Sequence, residues 1–218
     1  MRLKSEKLLS LLMWLVMAGL SVWGYFHVPD GPVAVHFGLD GAANGFQPRD
    51  TALITMPGIG LAMIVLLLWV LPAIMPKNAS IDRSAGAYGA VILSVVALIT
   101  IIQGGLVLHA AGVPLDVAKI AFTGTGLLFV IIGNYLPKLR KNWIAGIRTP
   151  WTLSDERVWD KTHRAAGLWF VIGGFLMLLS GGILPQTWRG PVFVAAIIIP
   201  ALGSILYSWL VARKLGVA

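Results

Sequence analysis

The groups in this chain able to do acid–base, nucleophilic or metal chemistry are few: four histidines, nine carboxylates and no cysteine. Without a thiol there is no disulfide, no thiolate nucleophile and no thiolate metal ligand. Two clusters remain. His27, His36 and Asp40 share one Gly- and Pro-rich connection and are of types that suit zinc, but their spacing fits no metal motif. Turn formation and local hydrogen bonding account for them better. His163 stands close in sequence to Asp155, Asp160 and Thr162, a set from which a general base would be drawn. No G-x-S-x-G, no H-E-x-x-H and no pair of mid-span aspartates accompanies it. The residues point away from an enzyme and call for neither a metal nor a cofactor.

The elements that must position these groups are set by composition. Hydrophobic residues make up 57% of the chain and charged residues 12%, with a mean hydropathy of +0.83, whereas soluble domains carry about 25% charged residues. Apolar runs of roughly 20 residues match helices that cross a hydrocarbon core. Spans are expected near 8–26, 52–75, 85–111, 119–136, 165–184 and 191–211. The first has a basic start, as a signal peptide does, but its apolar stretch is too long and no small-x-small cleavage site follows. It reads as a retained anchor. Placing the first segment inside puts fourteen of the 17 Lys and Arg residues on one side, leaving Arg49, Lys119 and Arg189 on the other. The positive-inside rule then expects both termini in the cytoplasm. Gln103 is the deep polar residue of the third span and suits an interhelical hydrogen bond.

Two connections are long enough to carry function. The first, 27–51, is expected outside. Its Asp30-Gly31 and Asp40-Gly41 pairs are turn chemistry, and Val33, Val35 and Phe37 alternate as an extended stretch would, so an ordered cap is expected. The second, PKLRKNWIAGIRTPWTLSDERVWDKTHR at 137–164, is expected inside. It holds seven basic residues, three acids and three tryptophans. Trp143, Trp151 and Trp159 suit the headgroup layer, which reads as an amphipathic segment lying on the membrane surface. Lys138, Arg140 and Lys141 suit anionic lipid headgroups better than nucleic acid, because lipid is already adjacent. Thr152 with Asp155 resembles a capping box after Pro150 has ended anything earlier, so a helix is expected from about Leu153 into the fifth span. On it Asp155, Trp159 and His163 would share a face, and Asp160 would pair with Arg164.

In this segment Asn134, Pro137-Lys138, Asn142-Trp143-Ile144, Gly146-Ile147-Arg148-Thr149-Pro150-Trp151-Thr152-Leu153, Val158-Trp159, Lys161-Thr162-His163-Arg164 and Gly167 occur in order. The run resembles the signature of SdpI-type bacterial immunity membrane proteins. The first connection, with Pro32-Val33-Ala34-Val35-His36-Phe37-Gly38 and Gly41, resembles the domain of unknown function commonly found ahead of that signature. The resemblance implies a protein of the bacterial inner membrane that protects against a secreted peptide toxin. It points to Asn134, Asn142, Gly146, Arg148, Thr149, Pro150, Trp151, Trp159, Thr162, His163, Arg164 and, in the first connection, His36 as the functional positions.

The fold class expected is therefore an all-α integral membrane protein, a bundle of about six transmembrane helices with an ordered outer cap and an amphipathic inner loop. Residues 1–80 would form an N-terminal membrane domain of two spans and the cap, and 81–218 an SdpI-like domain of four spans and the inner loop. Expected partners are anionic lipid at the inner face, a peptide toxin at the outer face and a cytoplasmic regulator, with no direct nucleic-acid contact. A transporter is a weaker second reading because no carboxylate falls mid-span.

Overall fold

A computed structural model describes residues 3–74 and 84–217. The expected division at 80 and 81, and with it Lys77, Asp82 and Arg83, lies outside the described residues, as does Arg2. Among the described residues six helices are long and apolar enough to cross a membrane, and the chain is a multi-pass membrane protein. They are α1 (Lys4–His27), α2 (Arg49–Val65) continued through a π-helical turn at Leu66–Val70 into α3 (Leu71–Ile74), α4 (Ala85–Ala110), α5 (Val117–Tyr135), α7 (Glu156–Gly182) and α8 (Gln186–Leu215). A short helix, α6 (Pro150–Ser154), precedes α7.

The helices are built inside out relative to a soluble bundle. On α1 the buried side is Ser10, Met17, Ser21 and Gly24, while Leu8, Leu12, Leu15 and Val16 are exposed. Lipid is as apolar as leucine, so helix association selects small side chains and close contact rather than hydrophobicity. Gln103 is buried and donates to Ser21 Oγ at 3.0 Å, joining α4 to α1 as an interhelical hydrogen bond.

The most extensive helix contact lies between α5 and α7, and glycines seven apart let the two helices approach. Gly126 and Gly133 on α5 face Gly174 and Gly167 on α7. A Cβ on Gly133 would sit 2.6 Å from Gly167 O, and one on Gly174 would sit 2.6 Å from Gly126 O. Gly181 continues the series against Thr123. Side-chain carbon is excluded at every second turn of this contact, so at these points the two backbones themselves are the interface. Aromatic stacking of Phe129 on Phe170, 5.1 Å between ring centres, flanks it.

One end of the bundle is capped by an antiparallel hairpin, β1 (Pro32–Phe37) and β2 (Ala43–Pro48), whose register is broken by bulges between Ala34 and Phe37. The tip turns at Gly41, where φ is +80. Val33 is buried with Val28, Leu53 and Val107, which fixes β1 onto the ends of α1, α2 and α4. The tip reaches α8: Leu39 lies over Gly190, and Gln186 donates to the carbonyl of Asp40. The base is held by Arg49, bonded to Asp30 at 2.5 Å and stacked over Tyr25. At the other end, residues close to the first and last described positions meet the 139–154 segment. Leu3 packs with Ile144 and Ala145, and Leu215 and Val217 pack in one cluster with Trp151.

Candidate functional site

The segment between α5 and α7 is a folded plug rather than a surface strip. Helix α5 tightens into a 3-10 turn at Leu136–Lys138, with Pro137 unable to continue the hydrogen-bond ladder. Arg140 then donates its backbone N–H to Ser84 Oγ at 2.8 Å, tying the chain to the start of α4. Asn142 is buried and builds the next turn by itself. Its Oδ1 accepts from the N–H groups of Ile144 and Ala145, both at 2.8 Å, and its Nδ2 donates to the carbonyls of Arg140 and Ala145. An asparagine side chain that satisfies its own loop in this way removes the need for water in a buried turn.

Gly146 follows with φ +109, a conformation side chains rarely adopt, and a Cβ there would run into His163 Nε2. That close approach lets Ile147 donate its N–H to His163 Nε2 at 3.0 Å. His163 Nδ1 bonds Trp159 O at 2.9 Å, and its ring stacks on Trp159 at 3.9 Å with 19° between planes. An acceptor at Nε2 and a donor at Nδ1 are the two roles of the neutral ring in one tautomer. Trp159 is fully buried, and its indole N–H donates to Leu139 O at 2.7 Å. The pair therefore holds both limbs of the loop, Leu139 on one side and Ile147 on the other, against α7.

A second knot follows. Thr149 caps α6 in a reciprocal box: its Oγ1 accepts from Thr152 N–H at 3.2 Å, and Thr152 Oγ1 accepts from Thr149 N–H at 2.9 Å. Thr152 donates to Ile147 O at 2.7 Å, and Thr149 Oγ1 meets Ser208 Oγ of α8 at 3.0 Å. Pro150 occupies the first turn of α6, where its missing N–H costs nothing. Asp155 caps α7 by accepting from the N–H groups of Arg157 and Val158. Hydrogen bonding from the Arg157 side chain pulls its carboxyl down to about 2.

These contacts correct several expectations. The capping box is Thr149 with Thr152, not Thr152 with Asp155; Pro150 begins a helix rather than only ending one, and α7 starts at Glu156, not Leu153. Trp159 is not an interfacial anchor, because α7 turns it inward; of the three tryptophans Trp143 is the exposed one, at 61%, and Trp151 is half-buried. Asp155 is off the helical face proposed for it, and Asp160 makes no ion pair with Arg164.

Of the candidate positions, the fold brings together Asn142, Gly146, Thr149, Trp159 and His163, with Pro150 and Trp151 beside them, and it adds Thr152, which was not among them. Arg148 is exposed and donates through one terminal nitrogen to Trp143 O at 2.6 Å. Thr162 is fully buried and its hydroxyl has no partner among the described residues. Asn134 and Arg164 are exposed; Asn134 bonds back to Val130 O within α5. His36 belongs to the other end, where Nδ1 meets Asn44 Oδ1 across the hairpin at 2.5 Å. His27 stacks on Trp23, and among the described residues no three metal-ligating side chains converge. Leu139, Ser84 and Ser208 complete the site and were not expected. Ser204 and Ser208, four apart in an apolar helix, were the available signal for the last.

Residues 138–208 match the SdpI/YfhL protein family, a stretch running from the start of the loop to the serine that closes the second knot. This part of the chain is similar to that family. Residues 12–61, holding most of α1, the hairpin and the first turns of α2, match a domain of unknown function, DUF1648. The immunity protein SdpI of Bacillus subtilis (strain 168) is 28% identical over 130 residues, which cover 59% of this chain and 63% of that protein. The match thus spans somewhat less than two thirds of the curated relative. No solved structure matches the chain. Asn134 falls outside the SdpI/YfhL residues, whereas every residue of the two knots except Ser84 falls inside them.

Proposed function

We propose that the protein resides in the bacterial cytoplasmic membrane and gives resistance to a secreted antimicrobial peptide without chemically altering it. The observation that carries this reading is the likeness of residues 138–208 to the SdpI/YfhL family and of 130 residues to an immunity protein. The site chemistry agrees with a non-catalytic role. His163 has both ring nitrogens committed to backbone groups, so no free base faces a nucleophile. Among the described residues no carboxylate lies in the middle of a span, which disfavours an ion-coupled carrier. The hairpin end is taken as external and meets the peptide. The plug packs against the ends of α1, α4, α7 and α8, so a peptide with unequal affinity for two helix arrangements would change what the plug presents to a cytoplasmic regulator. A peptide-sensitive bacterium expressing the chain should survive challenge that kills the empty-vector strain; equal killing at confirmed membrane abundance, across the candidate peptides, contradicts the reading.

Orientation is tested separately. The hairpin end holds Arg49, Lys119 and Arg189, and the plug end holds the other described cations. Ala43→Cys, on the exposed hairpin, should label with an impermeant thiol reagent in intact cells, and Lys141→Cys, on the exposed side of the plug, should label only after lysis. The chain has no cysteine of its own to interfere. The reverse pattern would invert the topology.

A further inference from the structure

Beneath the plug lies an apolar cavity of about 360 Å³. Its walls are Tyr88, Ile92 and Val95 of α4, Ile132 of α5, Phe170 of α7 and Leu67 of the π-helical turn, and residues 144–147 roof it. The tyrosine hydroxyl is already satisfied by Leu67 O at 2.8 Å, so nothing polar in the walls seeks a ligand. A void of this kind stays dry, and its lining loses dispersion contacts unless an apolar group fills it. Val95, Ile132 and Phe170 are half-buried and sit on membrane-spanning helices, so the surrounding solvent at the opening is hydrocarbon. Three exposed cations border the roof: Lys138 and Arg140 flank Leu139, itself a wall residue, and Arg148 follows Ile147. Among the described residues no acidic side chain lines the cavity.

We propose that this cavity binds one acyl chain of an anionic phospholipid, with the headgroup held by Lys138, Arg140 and Arg148. An anionic phospholipid supplies both a flexible apolar chain at this depth and negative charge at the bundle end. Bound there, it supports the underside of the segment that Asn142 and His163 hold from above, and it does so whether or not the protein protects against any peptide.

The test uses the full chain in vesicles doped with phosphatidylglycerol bearing a diazirine at the end of one acyl chain. After photolysis, labelled peptides should map to 88–95 and 144–147. Unlabelled phosphatidylglycerol should compete, and phosphatidylcholine at the same mole fraction should compete about tenfold less well. Val95→Trp, which fills the cavity, should abolish that labelling while leaving unchanged any labelling of a second apolar groove, between α7 and α8 at Gly173 and Pro200. Lys138→Gln with Arg140→Gln should keep the labelling and erase the headgroup preference. Equal competition by the two lipids in the wild-type chain overturns the proposal, as does undiminished labelling in Val95→Trp at normal abundance. Should Val95→Trp fail to insert, the wild-type competition decides alone.

Discussion

Gly133→Val or Gly167→Val should remove most of the protein from the membrane fraction, the largest stability loss expected of any single substitution here. A Cβ at either position meets a backbone carbonyl of the facing helix, 2.6 Å away from Gly133 and 2.8 Å away from Gly167. Backbone cannot rotate aside as a side chain can, so α5 and α7 must separate along their length. The cost is on the order of 3 kcal/mol or more, from forced overpacking and the lost contacts around it. Gly182→Val is the control: a Cβ there meets nothing within 4 Å. Detergent-solubilised thermal unfolding should show a large drop for the first two and little change for the third. Equal stability of all three would mean the glycine contact is not what joins these helices.

His163→Ala should leave the six spans inserted and abolish protection. The substitution strands the Ile147 N–H and removes the ring stacked on Trp159. A buried donor left unpaired costs about 1–3 kcal/mol, enough to free the loop but not to unfold a bundle held by the α5–α7 contact. Lys141→Ala should do nothing, since that ammonium is exposed and lies 3.5 Å from its nearest acceptor, Ser154 O. Arg148→Lys should fall between. The arginine makes one bond, to Trp143 O, rather than using its planar fork, and a lysine can replace one bond. Survival normalised to membrane abundance, measured in the three variants, checks the order.

The spans were legible because their signal is local: an apolar run long enough to cross a bilayer needs no partner to be recognised. The hairpin was half legible. Val33, Val35 and Phe37 alternate, but β2 reads ANGFQP, whose Gly, Asn and Pro signal a turn and conceal a strand. Trp159 was assigned to the interface because tryptophan beside basic residues has that meaning on average. Its actual partner, Leu139 O, is twenty residues away and reachable only after the loop folds back. The links of Arg140 to Ser84 and of Thr149 to Ser208 span 56 and 59 residues, and no pattern within the loop announces them. The heptad glycines, by contrast, were present in the sequence. Gly126 and Gly133, then Gly167, Gly174 and Gly181, recur at sevens, and only the antiparallel pairing of two helices separated by the loop gives that period its meaning.

The central claim is resistance without chemistry, and it is tested most directly by titrating the peptide the protein protects against onto purified chain in lipid and weighing what is recovered. The account predicts that the peptide comes back at its full mass, and that in cells survival fails once peptide exceeds protein. Recovery of shortened or modified peptide, with protection persisting at peptide far above protein, would contradict it.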